Sequence, residues 1–174
     1  IVILDGDDTQ LKDELFPIIK KDVEDQALFP VLTQTTERLS KNYKPQAYVR
    51  KINFFKLSDE DRKRVEFSTS VDAADSFSPN VLIRPLYQEM VLPNLAYIGG
   101  AAEVAYWMQL KDVFGQEDIP FPILMLRNSA LLIENNSLNK IKKLGIEIAD
   151  FFLNESQLHK LYVDKHSSIE LGGD

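Results

Sequence analysis

An apolar run that ends in a pair of glycines constrains the fold of this chain more than any other feature. Residues 95–98 are apolar, Gly99 and Gly100 follow, and residues 101–114 then repeat apolar side chains at helical spacing. This order predicts a strand, a tight turn and a helix. Such a turn points backbone N–H groups and the positive end of a helix at an anion. The alternative is a purely structural turn in which glycine supplies a positive φ.

Length and composition indicate one sizeable core and argue against several classes of protein. The chain has 174 residues and is 44% hydrophobic, which is enough for about one domain. It carries a net charge of -7 and no basic run, so we expect no nucleic-acid partner. No apolar run approaches the roughly 18 residues of a membrane span, so we expect no membrane partner. The chain has no cysteine, which excludes disulfides within it and suits the cytoplasm.

The periodicities after residue 80 alternate between helix and strand, which predicts an α/β fold. A strand is expected at 1–4, and a helix at 9–26 whose apolar stripe leaves Asp22 on the solvent side. The other expected elements are a helix at 31–41, a β-hairpin within 44–70, a helix at 80–92, strands at 95–98, 123–126 and 130–133, a helix at 101–114, and two helices within 134–165 that break at 154–156. The chain opens inside an apolar run and its first methionine is Met90, so we expect a fragment of a longer protein.

Polar side chains interrupt the apolar background between residues 80 and 109. Arg84 and Gln88, four apart, share one side of the expected helix, and an arginine with an amide can hold a carboxylate by paired hydrogen bonds. A solvated helix face is the commoner outcome for such a pair. Asn94 either caps the end of that helix or donates into a cleft. The aromatic residues of the stretch, Tyr97, Tyr106 and Trp107, are expected to serve packing.

The segment Asp5-Gly6-Asp7-Asp8-Thr9 follows four aliphatic residues and resembles the nucleophile loop of haloacid-dehalogenase-like phosphohydrolases. In that family the first aspartate attacks phosphorus, the second does acid/base work, and both hold magnesium. The family also needs a late acidic pair, which the later strand ends do not offer. A turn whose Asp8 or Thr9 caps the next helix is therefore favoured. A magnesium-dependent phosphohydrolase that uses Asp5 and Asp7 stays open as an alternative.

Longer motifs carry a second and more specific resemblance. The strings RPLYQE and LPNLAYIGG lie within residues 77–114, FPILMLRNSALLIE spans 121–134, and ILDGDDTQLKDELFPIIKKD and KPQAYVRKINFF precede them in order. Together they closely resemble the bacillithiol biosynthesis cysteine-adding enzyme family. Members of that family are much longer than this chain, and their amino-terminal His-Gln motif does not occur here. The resemblance therefore implies an interior fragment that is inactive alone.

The resemblance implies part of a Rossmann-like core with a β-hairpin insertion, leading into C-terminal helices. Residues 1–133 would be the second part of that core, with the hairpin region at 44–70, and residues 134–174 would lead toward a coiled coil that pairs two protomers. The implied reaction joins cysteine to the amine of glucosaminyl malate. It requires activation of a carboxylate, which calls for a nucleotide such as ATP. A non-catalytic helical assembly module is the remaining alternative.

The residues that match the family pattern are the candidate substrate- or nucleotide-binding residues. They are Arg84, Gln88, Asn94, Gly99, Gly100 and Glu103. The resemblance assigns no catalytic residue and no metal ligand. Where members of the family have a glycine-rich stretch before the glutamate, this chain has Ala101 and Ala102, whose methyl groups restrict close approach of a ligand.

Overall fold

The computed structural model describes residues 3–58 and 60–167, and the chain divides into two compact units. We call Ile1–Asn128 the core unit and Ser129–Asp174 the C-terminal unit. The strand expected at 1–4 is wrong where it can be checked, because Ile3 and Leu4 have no strand conformation and are exposed. Its first two residues lie outside the described residues. The domain boundary expected at 133/134 stays a prediction.

The described residues of the core unit include five helices. They are α1 (Thr9–Asp25), α2 (Phe29–Ser40), α3 (Arg84–Val91), α4 (Ala101–Trp107) and α5 (Lys111–Gln116), with a 3₁₀ turn at Met108–Leu110. The start of α1 confirms the capping interpretation of the acidic turn. The Asp8 carboxylate accepts the N–H groups of Gln10 at 2.9 Å and Leu11 at 3.2 Å, as an N-cap side chain does.

Two strands of a three-stranded antiparallel sheet, which we call the hairpin sheet, lie in the expected hairpin region 44–70, and the third strand lies after it. Its strands are β1 (Phe54–Ser58), β2 (Asp61–Arg64) and β3 (Phe77–Pro79), in the order β2-β1-β3. The hairpin is shorter than expected, because residues 47–53 and 65–70 form no strand. The buried side chain of Gln109 explains part of this difference. It accepts the N–H of Ala47 at 3.0 Å and donates to the Ala47 carbonyl at 3.0 Å, and so takes the place of a neighbouring strand.

The strand, turn and helix predicted from the glycine pair are present. β4 (Ala96–Gly99) pairs in parallel with β5 (Ile123–Leu126), and α4 and α5 connect them. This β-α-β unit confirms the α/β fold expected from the sequence. The apolar run at 95–98 had favoured a buried strand, which is wrong for one face of β4, since Ile98 is 64% exposed. The further strand expected at 130–133 is also wrong, because those residues are irregular.

The aromatic residues of the β-α-β unit pack as expected. Trp107 is fully buried and stacks on Tyr97 at a centroid distance of 4.2 Å. Phe114 and Phe121 contact each other edge to face at 5.0 Å beside it. This cluster fixes the buried face of β4 against α4 and α5.

The C-terminal unit consists of short helical elements. α6 (Asn135–Lys143) is followed by a 3₁₀ segment (Ile148–Phe152) and by α7 (Glu155–His166). The expected break at 154–156 is confirmed, since Asn154 caps α7 by accepting the N–H of Gln157 at 2.9 Å. Across residues 3–58 and 60–167, no helix is both long and apolar enough to cross a membrane.

Candidate functional site

A cleft of about 450 Å³ lies in the core unit between the acidic turn, the hairpin sheet and α3. Apolar side chains form most of its floor. The charged and polar side chains on its walls are Asp5, Asp7, Arg62, Ser78, Arg84, Tyr87 and Gln88. A mostly apolar cleft with a few convergent polar groups is the usual form of a small-molecule site.

The wall formed by α3 carries two of the candidate residues. Arg84 and Gln88 both line the cleft, and their side chains meet at 3.4 Å, which confirms that they share one side of the helix. One turn of α3 also holds the acidic turn, because the Tyr87 hydroxyl donates to the carbonyl of Gly6 at 3.2 Å. Burial raises the pKa of Tyr87, and the carboxylates of the turn, Asp7 first, raise it further. The turn therefore imposes a negative potential on this side of the cleft.

A buried chain of polar groups fixes where α3 begins. The Asp22 carboxylate accepts the backbone N–H of Asn53 at 2.6 Å, and the Asn53 side-chain oxygen accepts the amide of Asn80 at 3.0 Å. Asn80 in turn accepts the N–H groups of Leu82 and Ile83 at 2.9 and 3.2 Å, in the turn that leads into α3. This chain places the first residue of α3 at the cleft. The sequence expectation that Asp22 faces solvent is wrong, since its side chain is fully buried.

The hairpin sheet supplies a second cationic wall, which the sequence analysis did not identify. Arg62 donates to the Ser78 hydroxyl at 2.7 Å and to the Pro79 carbonyl at 3.1 Å, and its guanidinium lies 3.7 Å from the centroid of the Phe55 ring. Arg64 lies over the same ring at 4.6 Å. Burial, followed by the charges of Arg50 and Arg62, lowers the pKa of Arg64. The guanidinium groups of Arg62 and Arg64 on this sheet, and that of Arg50 in the irregular segment before it, thus repel one another.

The acidic turn, which Tyr87 holds against α3, is a further part of the lining of the cleft and is only partly neutralised. Asp7 forms an ion pair with Lys12 at 2.7 Å, and Asp5 accepts the backbone N–H of Asp7 at 2.9 Å. Across the described residues, neither Arg62 nor Arg84 forms an ion pair with a carboxylate. The lining of the cleft therefore combines two guanidinium groups that have no ion-pair partner among the described residues with a turn that carries carboxylates.

The acidic turn fits the capping interpretation better than a phosphohydrolase site. Asp8 is used as the N-cap of α1, Asp7 is paired with Lys12, and no strand leads into the turn at Ile3 and Leu4. The part of the chain that the structure describes holds no group of three or more His, Cys, Asp or Glu side chains arranged to bind a metal ion.

The glycine pair lies at the carboxyl end of β4, outside the lining of the cleft. The Gly100 N–H donates to the Glu103 carboxylate at 2.7 Å, so the turn satisfies its own amide with its own anion. The structural alternative of a positive φ is wrong, because Gly100 has a φ of -68° and, of the described glycines, Gly145 has the positive φ. The lack of room for a Cβ atom explains the presence of two glycines instead. A Cβ at Gly99 would lie 2.7 Å from the Tyr97 ring, and one at Gly100 would lie 3.2 Å from the guanidinium of Arg127.

Asn94 closes the connection between α3 and β4. Its backbone N–H and its side-chain amide both donate to the buried carboxylate of Glu89, at 2.8 and 2.9 Å, and its amide also donates to the Leu92 carbonyl at 2.7 Å. These bonds fit the capping alternative for Asn94. The side-chain amide of Asn94 donates within this connection and not into the cleft.

The structure thus divides the candidate residues into two sets. Arg84 and Gln88 join Asp5 and Asp7 in one cleft, whereas Asn94 and the glycine turn lie outside it. The two regions nevertheless lie close enough for the charge of Arg84 to act on Tyr97 of β4. Burial, and then the neighbouring Tyr106 and Glu103, raise the pKa of Tyr97, while the charge of Arg84 lowers it. A binding role for each candidate residue stays a prediction.

Comparison with known proteins agrees with the motif resemblance. The family model described as "Bacillithiol biosynthesis BshC, N-terminal Rossmann-like domain" matches residues 1–72 and 67–128. A protein of Flavobacterium johnsoniae named "Putative cysteine ligase BshC" is 36% identical in an alignment 191 positions long. The alignment covers 98% of this chain and 36% of that protein. Proteins of the same name from Christiangramia forsetii and Cytophaga hutchinsonii are 37% and 33% identical, each over 98% of this chain and 36% or 37% of the relative. The chain spans about a third of the length of these relatives.

Proposed function

This chain belongs to the bacillithiol biosynthesis BshC family and has its Rossmann-like fold, and we propose that it forms part of a cysteine ligase that joins cysteine to the amine of glucosaminyl malate. The observation that carries the proposal is the match of the family model to residues 1–128, together with relatives named as cysteine ligases over 98% of the chain. The mixed-charge cleft supports it, because both proposed substrates carry an amine and at least one carboxylate.

The proposed reaction forms one C–N bond. The chemistry that a nucleotide such as ATP would supply is activation of the cysteine carboxyl group. A carboxylate oxygen would take a phosphoryl group with release of ADP, or an adenylyl group with release of pyrophosphate, and would later leave as part of phosphate or AMP. The amine nitrogen would attack the activated carbon and release a proton. We assign no residue of this chain to proton transfer. The contribution we propose for this chain is to bind and orient a substrate, with Arg84 and Gln88 holding a carboxylate by charge-assisted hydrogen bonds.

The direct test is condensation by a protein of the relatives' full length. Purified protein would be incubated with cysteine, glucosaminyl malate and ATP, and the amide product would be detected by mass spectrometry. We expect product that depends on the nucleotide and on both substrates. The 174-residue chain by itself is the matched control, and we expect it to give none. The proposal fails if the full-length protein gives no product with any nucleoside triphosphate.

We also propose that the whole protein works in the cytoplasm as a homodimer paired through its C-terminal helices, without a nucleic-acid or membrane partner. The absence of cysteine from this chain is compatible with a reducing compartment. Exposed apolar side chains of the C-terminal unit support pairing, among them Phe152 at 83% and Val163 at 47% exposure. Analytical ultracentrifugation tests this, and a full-length protein that stays monomeric at high concentration argues against it.

A further inference from the structure

We infer that the cleft is the binding site of the amine acceptor, an organic acid that carries a primary ammonium group, and not of the free amino acid. This inference rests on the proposed function, because it assigns one of the two proposed substrates to a place in this chain. Its evidence is the size of the cleft and the arrangement of its charges.

The positive wall is suited to a ligand carboxylate. The guanidinium groups of Arg62 and Arg84 both line the cleft, and neither is neutralised by a carboxylate among the described residues. Arg62 is held in place by Ser78, Pro79 and the Phe55 ring, so its position does not depend on a ligand. A fixed guanidinium binds a carboxylate with little further loss of conformational freedom.

The negative wall is suited to a ligand ammonium group. Asp5 accepts a backbone N–H within its own turn and forms no ion pair with residues 3–58 or 60–167, whereas Asp7 already shares its charge with Lys12. The hydroxyl of Tyr87 bonds the turn to α3, the helix that carries Arg84, so the acidic turn has a fixed position beside that helix. A ligand with a carboxylate at one end and an ammonium group at the other satisfies both walls.

The volume favours the larger of the two proposed substrates. A cleft of about 450 Å³ is several times the volume of free cysteine. It falls within the range of roughly 300–1,000 Å³ that is typical of sites for ligands of drug size. A sugar joined to an organic acid has this size, and its carbon skeleton can lie along Leu57 and Val91, which belong to the apolar floor.

The cationic wall is tested by binding, without nucleotide, to the full-length protein. Isothermal titration calorimetry with glucosaminyl malate would compare the wild type with Arg62→Gln and Arg84→Gln. We expect each variant to raise the Kd for glucosaminyl malate about tenfold or more, and to leave the Kd for cysteine unchanged. Lys63→Gln is the matched control, because Lys63 follows Arg62 on β2 but pairs with Asp61 and does not line the cleft. We expect no change for that variant.

The acidic wall is tested by changing the ligand as well as the protein. Asp5→Asn keeps an oxygen that can accept the N–H of Asp7 but removes the charge. We expect this variant to weaken binding of glucosaminyl malate and to have no effect on binding of its N-acetylated derivative, which has no ammonium group. Equal loss for both ligands would overturn the assignment of the ammonium group to Asp5.

A measurement on the wild type covers the case in which a variant does not fold. Phenylglyoxal modifies accessible arginines, and mass spectrometry of peptides reports each site. We expect glucosaminyl malate, but not cysteine, to protect Arg62 and Arg84, while Arg38, paired with Asp112 outside the cleft, reacts equally in all samples. Product formation without this protection and without an effect of the variants would overturn the inference and leave the ligase proposal standing. Binding of glucosaminyl malate with protection of both arginines, but without condensation, would support the inference and overturn the ligase proposal.

Discussion

Asp22 shows how a single carboxylate can organise a site that it does not touch. It is buried, and its hydrogen bond to Asn53 begins the chain of polar contacts that ends at the start of α3. Burial raises its pKa from 3.8 to about 6, although the bonds from Asn53 lower it. The sequence analysis placed Asp22 on the solvent side because a charged side chain is rarely buried, and only the tertiary partner Asn53 makes its burial tolerable.

The raised pKa of Asp22 predicts a specific pH dependence of stability. The folded state binds the proton more tightly than the unfolded state, so this group contributes stability at low pH that is lost as the pH rises from about 4 to about 6. We expect the difference in unfolding free energy between the wild type and Asp22→Asn to fall by about 3 kcal/mol across that range and to be constant above it. Urea denaturation at several pH values measures this. A difference that does not change with pH would show that Asp22 titrates normally.

The glycine pair predicts unequal effects of two similar substitutions. A Cβ at Gly99 would overlap the Tyr97 ring, which cannot move freely because it stacks on Trp107. We therefore expect Gly99→Ala to lower the unfolding free energy by about 1–3 kcal/mol. A Cβ at Gly100 meets the flexible ends of Arg127 and Glu103, so Gly100→Ala should cost less than about 1 kcal/mol. Thermal denaturation compares the two variants, and equal effects would contradict this explanation.

At the scale of the element, sequence patterns located helices better than strands. The spacing of apolar residues and the capping residue Asp8 were sufficient to place α1, and the spacing of Arg84 and Gln88 was sufficient to place both on one face of α3. The predicted hairpin was longer than the observed one, because the ends of its strands depend on contacts distant in sequence, such as that of Gln109 with Ala47. For the same reason Arg62 was missed, since its place in the cleft follows from pairing of β2 with β1.

Asp8, which caps α1, and Asn80, which closes the turn before α3, predict different losses of stability. Asp8 is exposed, so Asp8→Ala should lower the unfolding free energy by about 1 kcal/mol through loss of the α1 cap alone. Asn80 also donates to the buried side chain of Asn53, which would be left without this donor. We expect Asn80→Ala to cost about 2–4 kcal/mol and to weaken ligand binding in the cleft, because α3 carries Arg84. Urea denaturation and calorimetry measure the two effects, and an Asn80→Ala variant no less stable than Asp8→Ala would contradict the proposed chain.

At the scale of the whole molecule, the parallel pair of β4 and β5 has one bare face. Tyr97 and Leu124 pack on the core side, whereas Ile98, Ile123 and Met125 on the other side are 64%, 69% and 50% exposed. Parallel sheets in folded proteins almost always have both faces covered. The sequence could not distinguish these faces, because a strand that is covered on both sides and one that is covered on a single side can both be continuously apolar here.

This bare face predicts that the 174-residue chain binds hydrophobic dyes and self-associates. We expect Ile98→Thr combined with Ile123→Thr to reduce anilinonaphthalene sulfonate fluorescence and to shift the sedimentation distribution toward monomer. The melting temperature should change little, since threonine keeps strand propensity and both side chains are exposed. Val81→Thr, at a partly exposed position outside the sheet, is the matched control and should change neither measurement. In a protein of the relatives' full length we expect weaker dye fluorescence per molecule. Unchanged fluorescence there would show that the face stays bare and that Ile98 and Ile123 face solvent in the whole protein.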